Sequence, residues 1–155
     1  MLFVDRWTRT IDDKHRIQIP APYRNAMDPE RDGAGFYVGP GERETPKYLA
    51  LYPEKYFESR IRRLRTEDVA GDDPLTFEQS FFSQVSRVEP DKQGRILLPE
   101  RLLADAELGT EVTLIGAKTR LEIWRTADYE EFLAGARTRW AALQRFLRSP
   151  SPETE

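Results

Sequence analysis

Asp12-Asp13-Lys14-His15-Arg16-Ile17-Gln18-Ile19-Pro20 returns 79 positions later as Asp91-Lys92-Gln93-Gly94-Arg95-Ile96-Leu97-Leu98-Pro99, with acid, arginine, apolar positions and proline in register. Recurrence of an Asp and an Arg four apart, each followed by a short apolar strand ending in proline, points to two copies of one structural unit. In 155 residues each copy has too little chain to bury a core alone, so the two are expected to fold together. Hydrophobic residues make up 39% of the chain and include 8 Phe, 6 Tyr and 3 Trp, enough for a core beneath a polar surface.

The likeness extends beyond the motif. Trp7 to Ile11 and Arg16 to Ile19 have strand character, with Ile17 and Ile19 on one face and a charged tip at Asp12 to His15, which together predict a hairpin. Pro20 and Pro22 then suit the first turn of a short helix through Met27, and Asp28-Pro29 and Asp32-Gly33 mark a loop. Strands at Phe36 to Gly39 and Tyr48 to Tyr52 precede a helix over Pro53 to Leu64. The second copy repeats this order: a strand at Val85 to Val88, a tip at Pro90 to Gly94, and a strand at Arg95 to Leu98. Helix Glu100 to Ala106 and strands Glu111 to Ile115 and Leu121 to Trp124 complete it.

Between the copies, Thr66 to Asp73 is a polar, acidic connection, and Asp73-Pro74 opens a helix through Gln84 whose Phe77, Phe81 and Phe82 are expected in the core. A last helix is predicted from about Ala127 to Leu147. The organisation is thus a first repeat at 7–54, linking helices at 55–82, a second repeat at 83–126, a C-terminal helix at 127–148 and a disordered tail at 149–155. Trp7, Trp124 and Trp140 are assigned to packing, and the basic face of the 53–64 helix to solvent.

Composition removes several function classes. With no cysteine there are no disulfides, thiolate metal sites or Cys nucleophiles, and a lone histidine, His15, in a turn is a poor metal ligand. No Gly-rich phosphate loop, His-Glu-x-x-His or Gly-x-Ser-x-Gly occurs, so neither catalysis nor a cofactor is expected. The chain lacks an apolar run long enough for a membrane span and a leader-like start, which places it in the cytoplasm. A net charge of -3 weighs against nucleic acid as a partner, yet residues 1–25 carry Arg6, Arg9, Lys14, Arg16 and Arg24 against Asp5, Asp12 and Asp13, so the first repeat is locally basic.

The two signatures, Phe81-Phe82 before the second, and Leu121-Glu122-Ile123-Trp124 at its end resemble the MraZ family over nearly the whole chain. The resemblance implies an α+β, β-rich fold of two tandem AbrB-like swapped-hairpin β-barrel units with flanking helices. It also implies a transcriptional regulator of the division and cell-wall gene cluster, bound to nucleoid DNA as a ring-shaped homo-oligomer on promoter direct repeats. Three positions depart from the family pattern: His15 replaces a turn glycine, Glu107 stands where glycine is common before Leu108, and Val4-Asp5 replaces a glycine-containing start.

Arginine presents a rigid fork of donors that can take guanine O6 and N7 together, so Arg16 and Arg95 are the candidate base readers in double-stranded DNA. Lys14 and Lys92 suit phosphate oxygens, with Arg9 and Arg6 adding backbone contacts. Asp12 and Asp91 would repel phosphate, so their expected role is to orient the arginine four residues on. The competing reading is a solvated ion pair at a tight turn, worth about 0–1 kcal/mol. Recurrence and resemblance favour DNA for Arg16, while Glu89, Asp91 and Glu100 leave both readings open for Arg95. A ring-forming structural protein that has lost DNA binding is the alternative function.

Overall fold

A computed structural model describes residues 1–150. The expected disordered tail therefore falls, beyond Pro150, outside the described residues. The chain is α+β and rich in strand, as the sequence predicts. Strands β1 (Arg6–Thr10), β2 (Arg16–Gln18), β3 (Phe36–Pro40) and β4 (Leu49–Pro53) come from the first half, and β5 (Ser86–Val88), β6 (Arg95–Leu97), β7 (Glu111–Gly116) and β8 (Leu121–Arg125) from the second.

Their pairing interleaves the halves. An antiparallel six-stranded sheet runs β1-β7-β8-β4-β3-β5, with β1 and β5 as its edges, and β2 pairs with β6 in a separate two-stranded ribbon. The expected hairpin between β1 and β2 is thus corrected: both ladders cross to the other half, β1 to β7 and β2 to β6. Ribbon and sheet enclose one cluster containing Ile17, Ile19, Ile96 and Leu98 from one layer and Val38, Leu51, Val112, Leu114 and Ile123 from the other. Each half supplies strands to both layers and completes neither, so the apolar faces of the two repeats are buried together.

The helices follow their punctuation. Pro22 sits in the first turn of α1 (Ala21–Asn25), and Asp28 opens α2 (Pro29–Asp32) by accepting hydrogen bonds from the backbone N–H of Glu30 and Arg31. That short helix replaces the loop expected there. Next come α3 (Glu54–Arg63), α4 (Thr66–Ala70) and α5 (Pro74–Phe82); α4 lies within the stretch expected to be an irregular connection, and Asp73 caps α5 at Thr76 N. α6 (Glu100–Ala106) occupies its expected span. The C-terminal helix, expected to be continuous, is instead α7 (Thr126–Ala136), a 3₁₀ turn Arg137–Arg139 and α8 (Ala141–Arg148).

Two packing expectations also change. Phe77 stacks on Phe81, which meets Phe82 edge-on; all three are half-buried and belong to no buried cluster, because α5 packs chiefly on α4 rather than on the sheet. Trp140 is 42% exposed, with the Arg137 guanidinium over its ring. Trp124, by contrast, is buried against Tyr48 at 4.6 Å, and its Nε1 donates to Glu122 Oε1, whose other oxygen takes the Arg120 guanidinium. That triad explains a glutamate inside the apolar Leu121-Glu122-Ile123-Trp124 run: a buried indole N–H and a carboxylate satisfy each other.

Candidate nucleic-acid interface

Both repeated motifs close the same turn with the same bonds. In the first, Asp12 N donates to Arg16 O and His15 N to Asp12 O, each at 3.0 Å. Asp12 Oδ1 accepts from Lys14 N at 3.0 Å and Arg16 N at 2.8 Å, while Asp12 Oδ2 takes Arg16 Nε at 2.9 Å. In the second, Asp91 Oδ1 accepts from Gln93 N at 2.9 Å and Arg95 N at 3.0 Å, and Oδ2 from Arg95 Nε at 3.2 Å. The motif needs an aspartate because one short carboxylate must satisfy two turn N–H groups and one guanidinium edge. The backbone N–H of Arg16 holds the Asp12 carboxyl below its ordinary range, and that of Arg95 does the same for Asp91.

The ion pair and the nucleic-acid contact are therefore compatible. Each arginine spends its Nε–H on the turn, and among the described residues its two terminal amino groups have no hydrogen-bond partner. Arg16 stays 29% and Arg95 28% exposed at the side chain. Across the ribbon Arg16 faces Leu97, Ile17 faces Ile96 and Gln18 faces Arg95. Ile17 and Ile96 are fully buried, so alternation turns Arg16, Gln18, Arg95 and Leu97 outward together. Both predicted base readers thus share one face of a two-stranded ribbon, as diagonal neighbours roughly 7–8 Å apart at Cα.

Lys14 and Lys92 occupy the tips at opposite ends of that ribbon, because the strands are antiparallel. Arg6 and Arg9 are not brought to the same surface. They lie three apart on β1 and so project to opposite sides of it, Arg6 over the Tyr129 ring and Arg9 over Trp7.

Each tip is also clamped by the other repeat. His15 O accepts from Leu98 N at 2.9 Å, and Gly94 O accepts from Ile19 N at 2.8 Å. Both acceptors have positive φ, 63° at His15 and 80° at Gly94. Here the interleaving adds residues that the sequence did not single out. Gln18 Nε2 donates to Gln93 O at 2.7 Å, and Arg24 from α1 lies against the second tip, with Nε bonded to Ile19 O at 3.1 Å. A Cβ on Gly94 would stand 2.7 Å from Arg24 Cζ, so the bare glycine is what admits the guanidinium. Arg24 belongs to the first repeat and offsets the acidic sequence neighbourhood of the second. Period-two parity with Arg16 could have flagged Gln18; no local signal marks Arg24, because only the strand exchange carries it there.

The profile described as "MraZ protein, putative antitoxin-like" matches residues 81–146. A transcriptional regulator MraZ of Moorella thermoacetica is 34% identical over 142 residues, covering 92% of this chain and 94% of its own. The chain belongs to the MraZ family. Other MraZ relatives, each likewise called a transcriptional regulator, include one of Thermomicrobium roseum, 31% identical over 97% of this chain and 93% of its own, and one of Thermobifida fusca, 33% identical over 83% and 87%. Membership covers both motifs and not only the second, since these alignments extend well beyond the profile match.

No described helix is long and apolar enough to cross a membrane, and among the described residues no group of three or more His, Asp or Glu side chains is placed to hold a metal ion.

Proposed function

We propose that this MraZ-family chain is a sequence-specific, double-stranded-DNA-binding transcriptional regulator. It acts in the cytoplasm on the nucleoid, as a repressor of the division and cell-wall gene cluster that includes its own gene. One observation carries the reading: Arg16 and Arg95 share the outward face of the β2–β6 ribbon with their terminal amino groups free among the described residues. A two-stranded ribbon is one of the few elements the major groove admits, and an arginine oriented through its Nε edge keeps both amino groups for guanine O6 and N7. Leu97, 61% exposed beside Arg16, offers methyl groups to a thymine methyl. Lys14, Lys92 and Arg24 supply phosphate contacts at the two ends.

One ribbon makes few contacts and binds weakly. Closure of the subunits into a ring presents several ribbons to consecutive direct repeats, and linkage makes later contacts intramolecular, raising avidity by ~10²–10⁴. The test is fluorescence anisotropy on upstream DNA from the host's own cluster at two salt concentrations, against scrambled repeats. Arg16→Ala is expected to lower specific affinity by roughly 5- to 150-fold per site, the worth of one bidentate base contact. Lys14→Ala should weaken all sequences alike and flatten the salt slope. Wild-type protein that fails to discriminate the repeats from scrambled DNA would leave a ring-forming structural protein as the function.

A further inference from the structure

The basic face of α3, expected in solvent from its sequence, lines a cleft. Lys55, Ser59 and Arg63 lie four apart on one row of that helix, and Tyr56 and Arg60 four apart on the next, so all five share one side. α2 packs against α3 and brings Arg31 to the same place. The space between them is about 500 Å³, within the size range of small-molecule sites. Four cations converge on it, and among the described residues that line it Asp32 is the one acid.

The acids of these elements are committed elsewhere. Glu54 pairs with Arg87, and Glu58 accepts from the Tyr37 hydroxyl at 2.7 Å. Buried Asp32 accepts from Asp28 N at 2.8 Å and from Arg31 Nε and Nη2. The cations, by contrast, keep donors to spare. Lys55 spends one of its three on Glu30 O, and Arg60 gives only its Nε–H, to the Tyr56 hydroxyl. Among the described residues Arg31 Nη1 has no hydrogen-bond partner, and Arg63 makes neither a hydrogen bond nor an ion pair. Like charges around a concave wall repel one another and focus a positive potential into it, which an anion relieves.

The cleft is out of reach of a duplex on the ribbon. Val38 and Leu51 belong to the core between sheet and ribbon, so Tyr37 and Tyr52 beside them point to the other face of the sheet. α3 packs there, with Phe57 stacked on Tyr37 at 4.6 Å between ring centres. Sheet and core thus separate α3 from the outward face of the ribbon.

We propose that this cleft binds a small molecule through a chain of phosphates, with Arg31, Lys55, Arg60 and Arg63 taking the phosphate oxygens and the Ser59 hydroxyl adding a donor. Four cations against one carboxylate leave a surplus of three positive charges, which suits a di- or triphosphate better than a single phosphate. A concave site of this size admits such a ligand, whereas a duplex presents its phosphates on a convex surface and meets only the rim. Nucleotides and inorganic polyphosphates share the chemistry. Because the cleft and the ribbon lie on opposite sides of the sheet, the site does not depend on the DNA reading.

The experiment titrates the full chain with inorganic tripolyphosphate, ATP and GTP by calorimetry in magnesium-free buffer at fixed ionic strength, with fold checked by circular dichroism. Wild-type protein is expected to bind tripolyphosphate saturably, at one site per chain. Arg60→Gln/Arg63→Gln should lower that affinity by roughly tenfold or more, through the loss of two charge-assisted contacts. Arg62→Gln/Arg65→Gln removes the same charge from residues outside the cleft and, through screening, should change it by less than about twofold. Arg31 is left unchanged because it pairs with buried Asp32. Tripolyphosphate binding at least as tightly as ATP and GTP assigns the site to the phosphate chain, and tighter binding of either nucleotide assigns it to nucleotides; both uphold it. Absence of saturable binding by all three ligands overturns the proposal, as does a cleft pair that binds like wild type or a control pair that loses as much as the cleft pair. So does a cleft pair that binds scrambled duplex more weakly while its triphosphate affinity is unchanged, which would give the cleft to the DNA backbone.

Discussion

Ile17 lies directly opposite Ile96 across the ribbon, and each is the other's counterpart in the repeat. Arg16 accordingly faces the counterpart of Gln18, and Arg95 faces Gln18 itself, so a local twofold relationship passes through the isoleucine pair. Both side chains are fully buried, the point at which one repeat closes on the other. Ile17→Ala and Ile96→Ala are each expected to cost about 2–5 kcal/mol, and the double variant to depart from additivity because the two sites adjoin. Urea denaturation should show one cooperative transition for every variant. Separate melting of two halves would contradict the shared core.

Gly94 and Arg24 form a second cross-repeat relationship. A methyl group at Gly94 meets the Arg24 guanidinium and Gln18 Nε2 and must also adopt φ near 80°. Gly94→Ala is therefore expected to destabilise by about 1–2 kcal/mol from the backbone term, and to displace Arg24 from the second tip. Adding Arg24→Ala removes the collision with the guanidinium and leaves the backbone cost and the contact with Gln18 Nε2. In thermal denaturation the double variant should thus be more stable than the sum of the two single changes predicts.

All three family departures fall on left-handed backbone: φ is 76° at Asp5, 63° at His15 and 55° at Glu107. Glu107 ends α6 in the conformation that glycine takes most readily. His15→Gly and Glu107→Gly should relieve about 1–2 kcal/mol each, partly offset by the greater unfolded-state entropy of glycine. A net rise in Tm of roughly 1–4 °C is expected for each. Asp5→Gly should gain least, because Asp tolerates this region and its Oδ1 holds Arg6 N at 2.7 Å. A fall in Tm for Glu107→Gly would show that the side chain makes contacts outweighing its backbone cost.

Asp12 and Asp91 tie stability to acid. Their folded-state pKa values are lowered, chiefly by the backbone N–H of Arg16 and Arg95 respectively. A lowered carboxyl contributes stability above its unfolded value, ~3.9, and loses it as pH falls through the folded value. Glu54, paired with Arg87, and Asp32, paired with Arg31, act in the same direction. Tm should stay level from neutral pH down to about 5 and drop below about 4. Asp12→Asn/Asp91→Asn should have a shallower acid limb. An unchanged limb in that variant would assign the titration to the other carboxylates.

Much of this architecture is written locally. The duplicated Asp-x-x-x-Arg turn, the strands that follow it and the helix at Glu100–Ala106 arise from side-chain alternation, proline placement and one carboxylate's reach, all set by neighbours in the chain. The outward arginines were legible for the same reason, since parity with a buried isoleucine fixes their side of the strand. Strand partners were not, because pairing depends on which apolar face is left uncovered once both halves are present. The sequence alone therefore determined that the turn is duplicated and which side chains its two copies display. Only the tertiary structure decided that β2 would pair with β6, that Arg24 would reach the opposite tip, and that the Phe77–Phe81 stack and Trp140 would stay outside the core. The physical reason is that burial is a property of the assembled layers, and no periodicity within one helix records whether another layer arrives to cover it.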